Sequence, residues 1–190
     1  MKPCKIFTLC FALLLAFSFV EHIAAQNCTA SKDLPNFGCV NGKLFRGAQP
    51  TEEGIKELAR RGIKTIIDLR DPDKNAKTEA WLARDAGIKF YNIPLANWLG
   101  PGDAKIEKIL RIIDASGNDS VFVHCKRGAD RTGTVIAIYR ISHNDWTAKQ
   151  AKDEAKKFRL GWWQIWMKDY IDDYEKEHPK NAEDGRTKLK

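Results

Sequence analysis

The sequence predicts an α/β domain, a mostly parallel central sheet flanked by helices. Three observations carry that expectation. Apolar runs of strand length, "KTIIDLR", "IKFYNIPL" and "SVFVH", alternate with helical patterns along the chain. One helix, "TGTVIAIYRIS", is apolar almost all round and so must be buried on every side. The chain has 190 residues, 43% of them hydrophobic, which suits one domain with a real core.

The elements follow in order. "KLFRGAQP" reads as a short strand ending in a turn. Thr51 then caps a helix whose first turn carries Glu52 and Glu53, the right charge for the positive end of a helix dipole. That helix puts Ile55, Leu58 and Ala59 on one face and stops at Gly62. The strand "KTIIDLR" leads into a charged loop over residues 71–77, a short helix over 79–85 and a stop at Gly87. The strand "IKFYNIPL" and the loop "ANWLGPG" come next, then a helix marked by Ile106, Ile109, Leu110 and Ile113. After "SVFVH" and the apolar helix, two more helices are expected, over 147–158 and 161–178. Trp162, Trp163 and Trp166 fall in the last and are expected in the core. Arg46 and Asp68 are expected to pair and tie the first strand to the second.

The ends read differently. Lys2 and Lys5 precede the apolar run "IFTLCFALLLAFSFV", and Ala24 and Ala25 suit a signal-peptidase site. The run is short for a membrane span, so residues 1–25 read as a secretory signal and the protein as exported, periplasmic or secreted. No membrane span is expected after cleavage. Of the remaining cysteines, Cys28 and Cys39 are expected to pair and clip the segment 26–42. A catalytic domain over 43–178 and a basic, flexible tail over 179–190 complete the organisation. The net charge of +7 favours anionic partners. Nucleic acid is a poor fit, since no helix-turn-helix, zinc spacing or aromatic-basic repeat accompanies the lysines.

Cys125 is left odd, in "VHCKRGADRTG" at the carboxyl end of a strand, where open α/β sheets bind ligands. One reading is a small buried hydrophobe. The other is a nucleophile in an anion cradle. Backbone N–H groups of residues 126–131, curled round a centre, would form a nest, to which the following helix adds its N-terminal donors. Gly128 permits the curvature, and Gly133 lets the helix pack closely. Arg131 can grip two phosphate oxygens in a fork. The same positive field would lower the thiol pKa of Cys125.

These residues resemble the cysteine-dependent protein tyrosine and dual-specificity phosphatase superfamily. His124, Cys125, Gly128, Arg131, Thr132 and Gly133 match its His-Cys-x-x-Gly-x-x-Arg-Thr-Gly signature. "LFRGAQPTEEGIKELARRGIKTIIDLR" extends the resemblance to small atypical dual-specificity members, and it covers residues 43–159. The resemblance implies a phosphatase-like α/β fold with Cys125 as nucleophile and Arg131 as phosphate clamp. It further implies that Thr132 helps the thiolate leave and that His124 orders the loop. Lys126, Arg127, Gly128, Ala129 and Asp130 become the loop that binds the substrate phosphate. No metal or other cofactor is implied, and the partner is a phosphorylated protein or a small anionic phosphomonoester.

The sequence departs from the family in one respect. Members usually carry an aspartate general acid on an upstream loop. Here "ANWLGPG" offers only Asp103 at its end, either as the acid or as a helix cap, with Asp130 as rival. Three alternatives to a protein phosphatase stand beside it. Lys126 and Arg127 suggest an inositol-phosphate or phosphoinositide phosphatase, and the missing loop aspartate suggests a phospho-ligand-binding pseudophosphatase. A rhodanese-like sulfurtransferase also uses a loop cysteine, but it has no need of the Arg-Thr-Gly ending.

Overall fold

The computed structural model describes residues 28–98 and 100–179. The apolar run read as a secretory signal and the tail beyond residue 179 lie outside them. Five strands form one sheet: β1 (Gly38–Cys39), β2 (Leu44–Ala48), β3 (Ile63–Asp68), β4 (Lys89–Asn92) and β5 (Ser120–Cys125). Their order is β1-β2-β5-β3-β4, with β1 antiparallel to β2 and every other pair parallel. The mostly parallel sheet is the one the sequence predicts. The two-residue strand β1 is an addition, too short to leave a pattern.

Helices cover both faces. On one side α1 (Glu52–Arg60) and α2 (Lys74–Asp85) pack over Phe45, Ile66 and Phe122, with Leu34 and Phe37 of the N-terminal segment in the same cluster. On the other, α3 (Asp103–Ala115), α4 (Asp130–Asn144), α5 (Ala148–Lys157) and α6 (Ile165–Glu177) share a core with Ile67, Val121 and Val123. Adjacent strand residues such as Ile66 and Ile67 thus serve opposite faces, as the period of two requires. Thr51 caps α1 through its side chain, as expected.

Two helices differ from their sequence outlines. The charged stretch expected as a loop is half helix, because Asp73 accepts from the Ala76 N–H and starts α2 at Lys74. The last helix starts only at Ile165, so Trp162 and Trp163 precede it. These tryptophans are not core: Trp162 is 81% exposed, Trp163 45% and Trp166 59%. Met167 and Ile171 are the buried residues of α6 instead.

The expected Arg46–Asp68 pair does not form. Strand β5 separates β2 from β3, and Asp68 pairs with Arg70. Arg46 is buried, donates from Nη2 to the Gly128 carbonyl and stacks over Phe158 at 4.0 Å. Burial holds its pKa down to about 10.

Cys28 and Cys39 form the expected disulfide, and Cys125 is the free cysteine of the described residues. Among those residues no helix is long and apolar enough to cross a membrane.

Candidate active site

Parallel pairing of β5 between β2 and β3 brings three strand ends together, with Cys125 opposite Ala48 and His124 opposite Asp68. The chain then turns through 126–129 into α4. Its carbonyls are all taken up from outside the turn. Lys126 O accepts from the Gln49 N–H, Arg127 O and Gly128 O from Asn36 Nδ2, and Gly128 O also from Arg46 Nη2. Ala129 O accepts from the Gly133 N–H and Asp130 O from the Thr134 hydroxyl. A trans peptide points its N–H opposite to its C=O, so the amides of 127–131 face the centre of the turn. That is an anion nest, and the unsatisfied N–H groups and dipole of α4 add to it. Gly128 makes the turn possible: its φ is 65°, and a Cβ there would run into the Gly47 carbonyl.

Cys125 and Arg131 lie at the base of a cleft of about 300 Å³ that opens above this nest. Both are nearly buried, and Arg131 is fixed by Nη1 donating 3.1 Å to Leu69 O. Burial alone would push the Cys125 thiol up. The Thr132 hydroxyl and N–H, the Arg131 charge and the Arg127 N–H outweigh it and hold the thiol below its ordinary range. Thr132 Oγ1 is buried and makes no hydrogen bond, which leaves its proton for a thiolate at Cys125. A thiolate facing an anion nest with a fixed guanidinium can attack a bound phosphoryl group.

The cleft walls are aromatic and polar. Asn97 and Trp98 line one part, Trp163 and Gln164 another, while Lys126, Arg127 and Asp130 border the base. Lys126 and Arg127 are exposed at the rim, and the Arg127 guanidinium sits 5.7 Å from the Trp163 ring centre. Ala129 is buried beneath the turn. Asp130 is buried too, with Oδ1 accepting from the Gly161 N–H and Oδ2 from Arg127. Asp103 is not among the cleft residues. It is the first residue of α3, with Gly102 at the cap position, and it accepts from the Tyr170 hydroxyl at 2.7 Å.

Behind the turn lies a cluster that sequence reading did not find. Arg70 binds Asp68 in a two-pronged pair at 2.8 Å and also reaches Glu79. His124 Nε2 lies 2.8 Å from Glu79 Oε1, close but poorly aligned for a hydrogen bond, and 3.9 Å from Asp68 Oδ1. All four side chains are buried. Burial pushes the His124 imidazole down; Glu79 and Asp68 pull it back against Arg70, and the net direction is upward. Asp68, Glu79 and His124 could in principle converge on one cation. Arg70 already places a permanent positive charge against both carboxylates, so a protonated His124 leaves the cluster neutral. The available signal was helical spacing: Glu79 shares the buried face of α2 with Ala76 and Ala83.

Comparison with known proteins gives a consistent result. The family model for a DSP-PTPase phosphatase fused to NAD+ kinase matches residues 13–163. The dual specificity protein phosphatase TpbA of Pseudomonas aeruginosa is 30% identical over 120 residues, covering 62% of this chain and 52% of that protein. The inositol diphosphatase SIW14 of Saccharomyces cerevisiae is 28% identical over 128 residues, 65% of this chain and 45% of that one. The chain thus spans about half the length of these curated relatives. The crystal structure of P. aeruginosa TpbA superposes with a TM-score of 0.66 at 23% identity, covering 77% of this chain and 88% of that one. The SIW14 core catalytic domain from S. cerevisiae gives 0.68 at 24%, covering 79% and 91%.

Two expectations follow from the site. Alkylation of Cys125 by iodoacetamide should rise with pH through a midpoint below the roughly 8.5 of a free cysteine, and Thr132→Ala should move it upward. An unshifted midpoint in that variant would remove the hydroxyl from the account. Second, a raised histidine stabilises the fold fully below its unfolded pKa, and that contribution is lost as pH rises through its folded value. Glu79→Gln should therefore lose stability to urea most in mildly acidic solution and less in alkaline solution. A pH-independent loss would show that His124 carries no proton there.

Proposed function

The chain belongs to the DSP-PTPase phosphatase family, and from that premise we propose that it hydrolyses phosphomonoesters through a phosphocysteine on Cys125. The substrates we favour are aryl phosphates, foremost phosphotyrosine in proteins. The carrying observation is the inward-facing nest with Cys125 and Arg131 at its base.

In the first step the Cys125 thiolate attacks phosphorus while the nest and the Arg131 fork hold the three non-bridging oxygens. An S–P bond forms, the P–O bond to the leaving group breaks, and its electron pair goes to the leaving oxygen, which takes up a proton from water in the open cleft. In the second, water attacks phosphorus, the S–P electrons return to sulfur, and the Thr132 hydroxyl stabilises the departing thiolate. The proton lost by water leaves through the open cleft.

Leaving-group chemistry supports the aryl preference. Asp103 lies outside the cleft lining with Oδ1 accepting from Tyr170, and both oxygens of Asp130 are engaged, which supports a substrate whose leaving group needs little protonation. A phenolate, with a conjugate-acid pKa of about 10, leaves with less help than an alkoxide. Trp98 and Trp163 offer flat walls for the ring. The second reading, an inositol-phosphate enzyme, draws on exposed Lys126 and Arg127 and on the likeness to SIW14. We also read the protein as exported. The apolar run before residue 25 supports this, as does the Cys28–Cys39 disulfide, a bond that persists in oxidising compartments.

Turnover of p-nitrophenyl phosphate tests the reaction. Cys125→Ser should abolish it yet still bind vanadate, and Arg131→Lys should lose about 10- to 100-fold or more, the worth of a charge-assisted bond or two. Residual turnover near the parent rate in Cys125→Ser would end the covalent mechanism. For substrate class, Trp163→Ala should lower kcat/KM on a phosphotyrosine peptide by about three- to tenfold, the scale of one aromatic contact, and leave glycerol 2-phosphate nearly unchanged. A wild-type preference for inositol polyphosphate over the peptide by orders of magnitude would favour the second reading.

A further inference from the structure

Asn36 comes from the disulfide-clipped N-terminal segment, far in sequence from the signature, yet its side chain ends on the phosphate loop. Nδ2 lies 3.1 Å from Arg127 O, 3.0 Å from Gly128 O and 3.1 Å from Phe158 O, so two protons are shared among three carbonyls. Its backbone has φ 53°, a left-handed conformation that asparagine tolerates better than most residues. The segment is well anchored on both sides. Leu34 and Phe37 are buried in the core, Pro35 O accepts from the Ala48 N–H at the end of β2, and Cys28–Cys39 closes the loop around them.

We propose that Asn36 is a positioning residue for phosphate binding: it holds the Arg127 and Gly128 carbonyls outward and so keeps the amides of Gly128 and Ala129 turned into the nest. The proposal rests on the phosphatase reading above. The Gly128 carbonyl has a second donor in Arg46, so the peptide most dependent on Asn36 is the one between Arg127 and Gly128. Glycine accepts either sign of φ, so that peptide is free to rotate once its carbonyl is released. The N-terminal segment, which the family signature does not include, thereby becomes part of the anion site.

Asn36→Gly is the direct test, because glycine keeps the left-handed backbone and removes only the side chain. In the full chain, phosphate and vanadate inhibition should weaken by about tenfold, the worth of one or two hydrogen bonds, with KM raised more than kcat is lowered. The pH midpoint of Cys125 alkylation should stay put, since the amides of Arg127 and Thr132 that act on sulfur belong to other peptides. A general loosening of the fold would move both readouts and the thermal midpoint together. If the glycine variant does not fold, near-isosteric Asn36→Asp carries the test, with a larger loss because a carboxylate then faces carbonyl oxygens. Anion affinity within twofold of wild type, or a loss only in step with the alkylation midpoint, overturns the proposal while wild-type turnover leaves the phosphatase reading standing. A wild-type chain that neither turns over p-nitrophenyl phosphate nor binds vanadate sinks both.

Discussion

Outward bonding of the carbonyls of residues 126–130 decides which way the amides of the turn after β5 face. Each is satisfied by a group outside the nest: Gln49, Asn36, Arg46, Gly133 and Thr134 between them. The amides opposite those carbonyls have nowhere to point but inward, so the nest we propose for a phosphoryl group is formed by the fold itself. Such donors need no reorganisation when charge builds on the phosphoryl oxygens. The donors come from the N-terminal segment, β2 and the turn just after it, and α4, which is why the geometry requires more of the chain than the signature alone.

A second constraint lies one layer behind. Asp68, Arg70, Glu79 and His124 bury four charged or chargeable groups at the ends of β3 and β5. Desolvating such groups is expensive, and removing one partner of a buried pair typically destabilises by about 3–5 kcal/mol because the other is left uncompensated. Asn92 closes the arrangement by donating to the carbonyls of Asp68 and Arg70. Arg131 donates to Leu69 O and the Leu69 N–H donates to His124 O, so one residue holds both ends of the loop. The cluster therefore ties the ends of β3 and β5 together beside Cys125, in place of the ion pair across two strands that the sequence suggested for Arg46 and Asp68.

Local signals were the legible ones. Thr51 and Glu52 announced α1, the apolar strands announced the parallel sheet, and the spacing of Cys125, Gly128 and Arg131 announced the loop. What stayed hidden depends on contacts distant in sequence. Asn36 meets Arg127 across 91 positions, and nothing near Asn36 indicates it. Asp73 looked like one more loop charge until its side chain capped α2. The tryptophans at 162, 163 and 166 had helical spacing and apolar bulk, but they precede or flank the start of α6 and stay exposed, and Trp163 lines the cleft.

Covalent capture of the phosphoryl group by Cys125 is the step on which the proposed chemistry turns. Acid quench of the wild-type chain during turnover of p-nitrophenyl phosphate, followed by peptide mass mapping, tests it at the atom concerned. The added mass of one phosphoryl group is expected on the peptide carrying Cys125, and none after Cys125→Ser. Turnover at the wild-type rate with that peptide unmodified in every quenched sample, or the added mass on a different residue, would contradict it.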